Sequence, residues 1–195
     1  MLTFDDGPGR DATAAVLEEL HRVQVQATFF VLGKEVLRNP RLAREIVGGG
    51  HEIALHGHDH QRYDKLTPAD TSADLQEGMR AIEQVTGQRA HWFRPPFGRL
   101  PPQSASVVTD LGLQVVYWSC WGLDWEDTSA EAIEREVVGG LAAGAIVLLH
   151  DNAAYGRRSS ALATARAVGP IVDHGRARGW SWTTLADAVS DDPGF

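Results

Sequence analysis

Apolar residues in this chain follow two rhythms that alternate from end to end. Short unbroken runs, rich in β-branched and aromatic side chains, read as buried strands at residues 2–4, 27–31, 52–55, 91–93, 114–118, 145–149 and 180–183. Between them apolar positions return every three or four residues, the period of a helix with one buried face. Val16, Leu17 and Leu20 mark such a face in residues 11–23. Leu42, Ile46 and Val47 mark a second, which opens on Pro40 and ends at Gly48-Gly49-Gly50. Thr67 before Pro68 reads as the N-cap of a third, whose Leu75, Met79, Ile82 and Val85 align. Residues 103–111, 130–141, 160–178 and 184–190 read as further helices. Six or seven strand-then-helix units imply a parallel sheet. A closed barrel and an open doubly wound sheet both fit.

No repeat, low-complexity tract or linker interrupts this pattern. Residues 1–195 therefore read as one domain that starts inside its first strand and ends in a short tail at 190–195. A hydrophobic content of 43% and a charged content of 23% argue against a disordered chain. Eighteen basic against twenty-six acidic side chains leave a formal charge of -8, which argues against nucleic acid or an anionic membrane as partner. Cys120 is the single cysteine, so an intrachain disulfide and a multi-cysteine zinc site are excluded. No apolar run reaches the roughly 20 residues of a membrane span. The first residues do not read as a secretory signal, and the compartment stays open.

Chemistry gathers where the predicted strands end. Asp5-Asp6 follows the first, His56 to His60 the third, Arg94 the fourth, Trp118 to Trp125 the fifth and His150-Asp151 the sixth. In parallel α/β sheets these ends converge on one face, where ligands bind. His56 and His60, four apart, can reach one metal ion. Asp6 from another strand end would complete three ligands and leave positions open for water and substrate. Such a set suits zinc in hydrolases and non-haem iron in oxygenases, while a histidine-rich surface loop has the same local sequence. On a helical segment His58 would face away from the pair, and it reads as a bystander or a support of the pair; His51 reads as a turn residue. Asp5 and Asp6 are adjacent, so a continuing strand would point them apart. The turn forced by Gly7 and Pro8 lets one ligate while the other stays free as a base, and a plain turn decorated with aspartates has the same local sequence. His150, closing a buried strand, is either a core residue or a catalytic one at a barrel mouth.

Taken in order, Thr3-Phe4-Asp5-Asp6-Gly7-Pro8, His56-x-x-x-His60, Arg94-Pro95-Pro96-Phe97-Gly98, Asp124-Trp125 and Leu148-Leu149-His150-Asp151 resemble the five motifs of the polysaccharide deacetylases, carbohydrate esterase family 4. Residues 27–33 are similar to the family's second strand, and the resemblance runs from Leu2 to Val189. It implies a distorted (β/α) barrel, often of seven strands. It implies a metal-dependent hydrolase acting on an acetylated glycan or oligosaccharide, removing acetyl groups from N-acetylglucosamine units of chitooligosaccharide or peptidoglycan type. An O-acetyl esterase on xylan or another sugar is the alternative, and a sugar-binding barrel without activity is a third.

By the same resemblance Asp6, His56 and His60 hold the divalent metal, usually zinc, with cobalt or nickel as substitutes. Asp5 is the general base, with Arg94 holding its carboxylate ionised and oriented. His150 is the general acid, tuned by Asp124. Trp125 and Leu148 wall the groove for the acetyl methyl, and the backbone amide at Phe97 contacts an oxyanion. Family members are often secreted or held in the cell envelope, and a monomer is expected.

Three positions depart from the usual pattern. Gly57 replaces a Ser or Thr whose hydroxyl helps brace the metal loop, Phe97 replaces a tyrosine, and Trp121 replaces the first aspartate of D-x-x-D-W. Trp118, Trp121 and Trp125 are thus expected to crowd one loop, where a sugar-stacking face and a barrel core are equally compatible with them. Residues 152–159, with Tyr155, Arg157 and Arg158, read as a polar loop, either solvated or reaching over the groove.

Overall fold

The computed structural model describes residues 1–191; residues 192–195, part of the expected tail, lie outside the described residues. In chain order the elements are β1 (Leu2–Asp5), α1 (Ala12–Arg22), β2 (Thr28–Val31), α2 (Gly33–Arg38), α3 (Pro40–Gly48), β3 (Glu52–Leu55), α4 (Pro68–Thr86) and β4 (Trp92–Phe93). There follow α5 (Pro102–Asp110), β5 (Gln114–Val115), β6 (Cys120–Trp121), α6 (Ala130–Gly140), β7 (Val147–His150), α7 (Leu162–Arg176) and α8 (Leu185–Asp191).

Seven strands, paired in parallel, form one sheet in the order β5-β4-β3-β2-β1-β7-β6. The two edge strands are neighbours in sequence, joined only by residues 116–119. Five Cα steps reach no more than about 19 Å, whereas a flat sheet of seven strands would set its edges about 29 Å apart. The sheet therefore curls. The result is a distorted (β/α) barrel with a seam between β5 and β6, and the open doubly wound alternative is set aside.

Strand alternation sorts the side chains into two cores. Phe4, Phe29, Leu55, Phe93 and Leu149 face outward into the main core beneath the helices. Phe30, Ala54 and Trp92 point inward and meet Leu185 of α8. Leu185 N donates to Thr28 Oγ1 and Glu52 Oε2, so α8 plugs the end where the strands begin. The opposite end stays free for chemistry. Among the described residues no helix is long and apolar enough to cross a membrane.

The structure corrects several predicted elements. Residues 180–183 form no strand; Trp182 instead packs over Gly175 of α7 and donates to the Val172 carbonyl. The predicted strand at 114–118 stops at Val115, because the carbonyls of Val116 and Tyr117 accept bonds from Arg94 and the chain then crosses to β7 as β6. Helix α2 was not anticipated; its six residues are too few to show a helical period. The expected tail begins later than residue 190, since α8 continues to Asp191. His51 is no simple turn residue: it is buried, edges against Phe29, and its Nδ1 accepts from Ala27 N.

Candidate metal centre and active site

The clusters at Asp5-Asp6, His56 to His60 and Arg94 to Phe97 leave their strands by a backbone conformation that side chains rarely adopt. Asp6 has φ +77°, His60 +51°, Phe97 +61° and Gly57 +89°. Left-handed backbone at non-glycine positions is costly and collects at functional sites. Here it turns consecutive side chains toward the barrel mouth, which is why adjacent Asp5 and Asp6 serve one site.

Asp6 Oδ1 lies 3.4 Å from His56 Nε2 and 3.2 Å from His60 Nε2. The three residues offer ligand atoms within 4.8 Å of one another. His56 Nδ1 sits 2.7 Å from the Arg94 carbonyl, so that nitrogen donates its proton there and Nε2 keeps a free lone pair toward Asp6. Asp6 Oδ1 is buried and has no hydrogen-bond partner. Burial opposes the Asp6 charge, but the imidazoles of His56 and His60 hold its carboxyl well below the usual carboxylate range. A bare buried carboxylate oxygen facing two imidazole nitrogens fits a divalent cation of the zinc kind. His58 lies outside this trio, with its Nε2 toward Glu77.

The loop around Gly57 is braced from α4. Asp74, buried on α4, accepts from the backbone N–H of His58 and from the Tyr63 hydroxyl. A Cβ on Gly57 would sit 2.6 Å from Tyr63 Oη and 2.8 Å from Asp74 Oδ2, so glycine is required where this pair approaches.

Asp5 is held from beneath. The wholly buried Arg94 donates from one terminal nitrogen to Asp5 Oδ1 and to Thr3 Oγ1, both at 2.7 Å. Its other nitrogens reach the Val116 and Tyr117 carbonyls, and its guanidinium lies 4.0 Å from the centre of the Phe30 ring. Asp5 Oδ2 is left 3.8 Å from His56 Nε2, beside the trio.

Across the mouth, His150 Nδ1 donates to Asp124 Oδ1 at 2.8 Å, and its backbone N–H to Oδ2 at 2.9 Å. Burial works against the imidazolium, yet Asp124 overrides it, with Asp6 and Asp5 adding, and the His150 pKa rises from 6.5 to about 9. Trp125 meets the His150 ring edge-on at 5.7 Å.

The residues that hold Asp124 were not foreseen. Arg158, read as a loop residue, is buried and donates to Thr164 Oγ1, to the His150 carbonyl and, at 3.4 Å, to Asp124 Oδ2. Thr164 Oγ1 adds a bond of 2.7 Å to the same oxygen. Tyr155, in the loop that reads as either solvated or reaching over the groove, takes the second course. Its ring lies 4.6 Å from that of His60, opposite Phe97 at 4.7 Å, and its hydroxyl donates to Glu35 on α2. The loop thus reaches over the groove. Its only sequence signal was an aromatic and two arginines directly after His150.

Asp5, Asp6, His56, His60, Phe97, Trp125, Leu148 and His150 line one cleft of about 480 Å³, with Trp118 on its wall. Arg94 and Asp124 lie behind it as partners of Asp5 and His150. Trp121 is not with the other two tryptophans: it stands on β6, 47% exposed, outside this lining.

A family model described as polysaccharide deacetylase matches residues 1–116. The peptidoglycan-N-acetylglucosamine deacetylase PgdA of Listeria monocytogenes is 37% identical over 150 residues, 77% of this chain and 32% of that protein. The chain thus spans about a third of that relative's length. A chitooligosaccharide deacetylase of a Bradyrhizobium species is 36% identical over 167 residues, 85% of this chain and 76% of its own. The solved structure of the Bc1960 peptidoglycan N-acetylglucosamine deacetylase, in complex with 4-naphthalen-1-yl-N-oxidanyl-benzamide, aligns with TM-score 0.89 at 26% identity, over 95% of this chain and 85% of that one. With the model matching more than half of its length and such relatives extending the match, this chain belongs to the polysaccharide deacetylase family.

Proposed function

We propose that the chain is a metal-dependent deacetylase that removes acetyl groups from N-acetylglucosamine units of a glycan, of chitooligosaccharide or peptidoglycan type. The observation that carries this reading is the unpartnered Asp6 Oδ1 facing His56 and His60, set between an arginine-held aspartate and an aspartate-held histidine.

Amide hydrolysis needs a nucleophile, a place for negative charge on the carbonyl oxygen, and a proton for the departing amine. Asp6, His56 and His60 would hold a zinc ion, or cobalt or nickel in its place, whose chemistry when bound is carbonyl polarisation and activation of water near neutral pH. Asp5 takes the proton of the attacking water, its carboxylate fixed in direction by the 2.7 Å bond from Arg94. The backbone amide at Phe97 is the second donor for the oxyanion, an interaction worth roughly 3 kcal/mol when well placed. His150, charged through neutral pH, protonates the sugar amine as the C–N bond breaks, and Asp124 keeps its ring in register. Leu148 and Trp125 exclude water around the acetyl methyl.

The test joins elemental analysis of the purified protein to an acetate-release screen on chitooligosaccharides, peptidoglycan and acetylxylan. One metal per chain with acetate from an N-acetylated glycan is expected. Acetate from acetylxylan alone would move the reading to an O-acetyl esterase. No acetate from any of them, with the metal bound, would leave a sugar-binding barrel.

A further inference from the structure

Trp121 is the tryptophan that this chemistry leaves over, and strand alternation fixes its direction. Cys120 is buried against α6, its Sγ 3.2 Å from the Val137 carbonyl, and Gly122 abuts Ile133, Val137 and Leu149. Trp121, between them, points to the barrel's inner face. There it pairs in register with Leu148, which lines the cleft, one strand spacing of about 4.8 Å away. An inward tryptophan in a closed barrel would be buried. This one is 47% exposed because β6 is an edge strand and only residues 116–119 cross the seam. Tyr117, on that crossing, is 45% exposed, and Trp118 beside it lines the cleft.

The inner wall therefore continues from the acetyl groove onto an open indole face. Aromatic faces bind flat apolar surfaces with preferred stacking geometry, and the C–H face of a pyranose is such a surface. We propose that Trp121 is a sugar-stacking subsite, which seats the ring next along the glycan from the one whose acetamide lies between Asp5 and His150. This rests on the deacetylase reading and adds to it a preference for oligomers. The ring partner is the same glycan chain, because the patch is continuous with the cleft that receives it.

The test uses the metal-loaded chain, 4-nitrophenyl acetate as an acetyl ester without sugar, and N-acetylchitohexaose. Trp121→Ala is expected to raise KM for the hexasaccharide about tenfold, the equivalent of one stacking contact of about 1.4 kcal/mol, with kcat unchanged. Ester turnover stays at the wild-type level, and Trp121→Phe restores most of the loss. Equal losses on both substrates, or no change on the hexasaccharide, would overturn the subsite. If neither substrate is hydrolysed, the chitooligosaccharide form of the deacetylase reading fails by itself. Titration of N-acetylchitohexaose against tryptophan fluorescence then decides: about tenfold weaker binding in Trp121→Ala supports the subsite, and equal binding overturns it. A wild-type dimer that Trp121→Ala dissociates also overturns it, assigning the face to a second copy of the chain.

Discussion

The two flanks of the cleft are finished by different means. On the acid flank the Asp124 carboxylate is saturated by protein: His150 donates twice, Thr164 once and Arg158 once. On the flank of the proposed metal site Asp6 Oδ1 is also buried and has no hydrogen-bond partner. An unsatisfied buried acceptor costs about 1–3 kcal/mol, and more when charged, which is the physical reason the proposed cation site lies there. The Asp124 carboxylate is thus satisfied by the protein's own donors, whereas Asp6 Oδ1 is not.

Removing a proposed metal ligand breaks the comparison most fully. His60→Ala is expected to lose metal uptake and take acetate release to background, read by elemental analysis and acetate assay on one sample. Metal at a hundred times its Kd should stabilise the wild type by about 2.7 kcal/mol and leave His60→Ala unmoved in thermal melts. A tight site retained in the variant would refute the ligand set.

Removing either proposed proton carrier comes next. Asp5→Asn and His150→Ala should each cut kcat by about two orders of magnitude or more, with metal content unchanged. Turnover preserved in Asp5→Asn would put the base elsewhere.

Titration sharpens the acid flank. His150 has its pKa raised to about 9, so the imidazolium is present through neutral pH and lost as pH climbs through that value. The kcat profile should fall on the alkaline side near pH 9. Asp124→Asn removes the charge that raises it, and the limb should move down toward the ordinary histidine range of about 6.5. A limb that stays put would mean His150 is not the acid.

Smaller effects test the supports. Gly57→Ser, which restores the commoner residue, should destabilise by about 1–3 kcal/mol in urea denaturation, because its Cβ meets Tyr63 and Asp74. Tyr155→Phe removes only the bond to Glu35. It should cost about 1 kcal/mol or less and change kcat by less than about fivefold in the acetate assay.

Much of the site was legible because its signals are local. Asp5 and Asp6 before Gly7-Pro8, and His56 and His60 four apart, are short-range patterns whose strand and turn context lies within a few residues. What stayed hidden was the support from far along the chain. Arg158 reaches Asp124 across 34 residues, and Tyr155 reaches Glu35 across 120. Residues 180–183 show how context overrides pattern: their apolar content reads as a strand, yet Trp182 is satisfied by a single carbonyl on α7.

By itself the sequence determined the alternation of strands and helices, the burial of the strands and the clustering of polar residues at their ends. These follow from side-chain period and turn chemistry, which act over a few bonds. Only the tertiary structure decided that the sheet curls, that a seam opens between β5 and β6, and that Trp121 stands in it. Those outcomes depend on which edges meet in space and on where Arg94 sends its donors, and no local period encodes either.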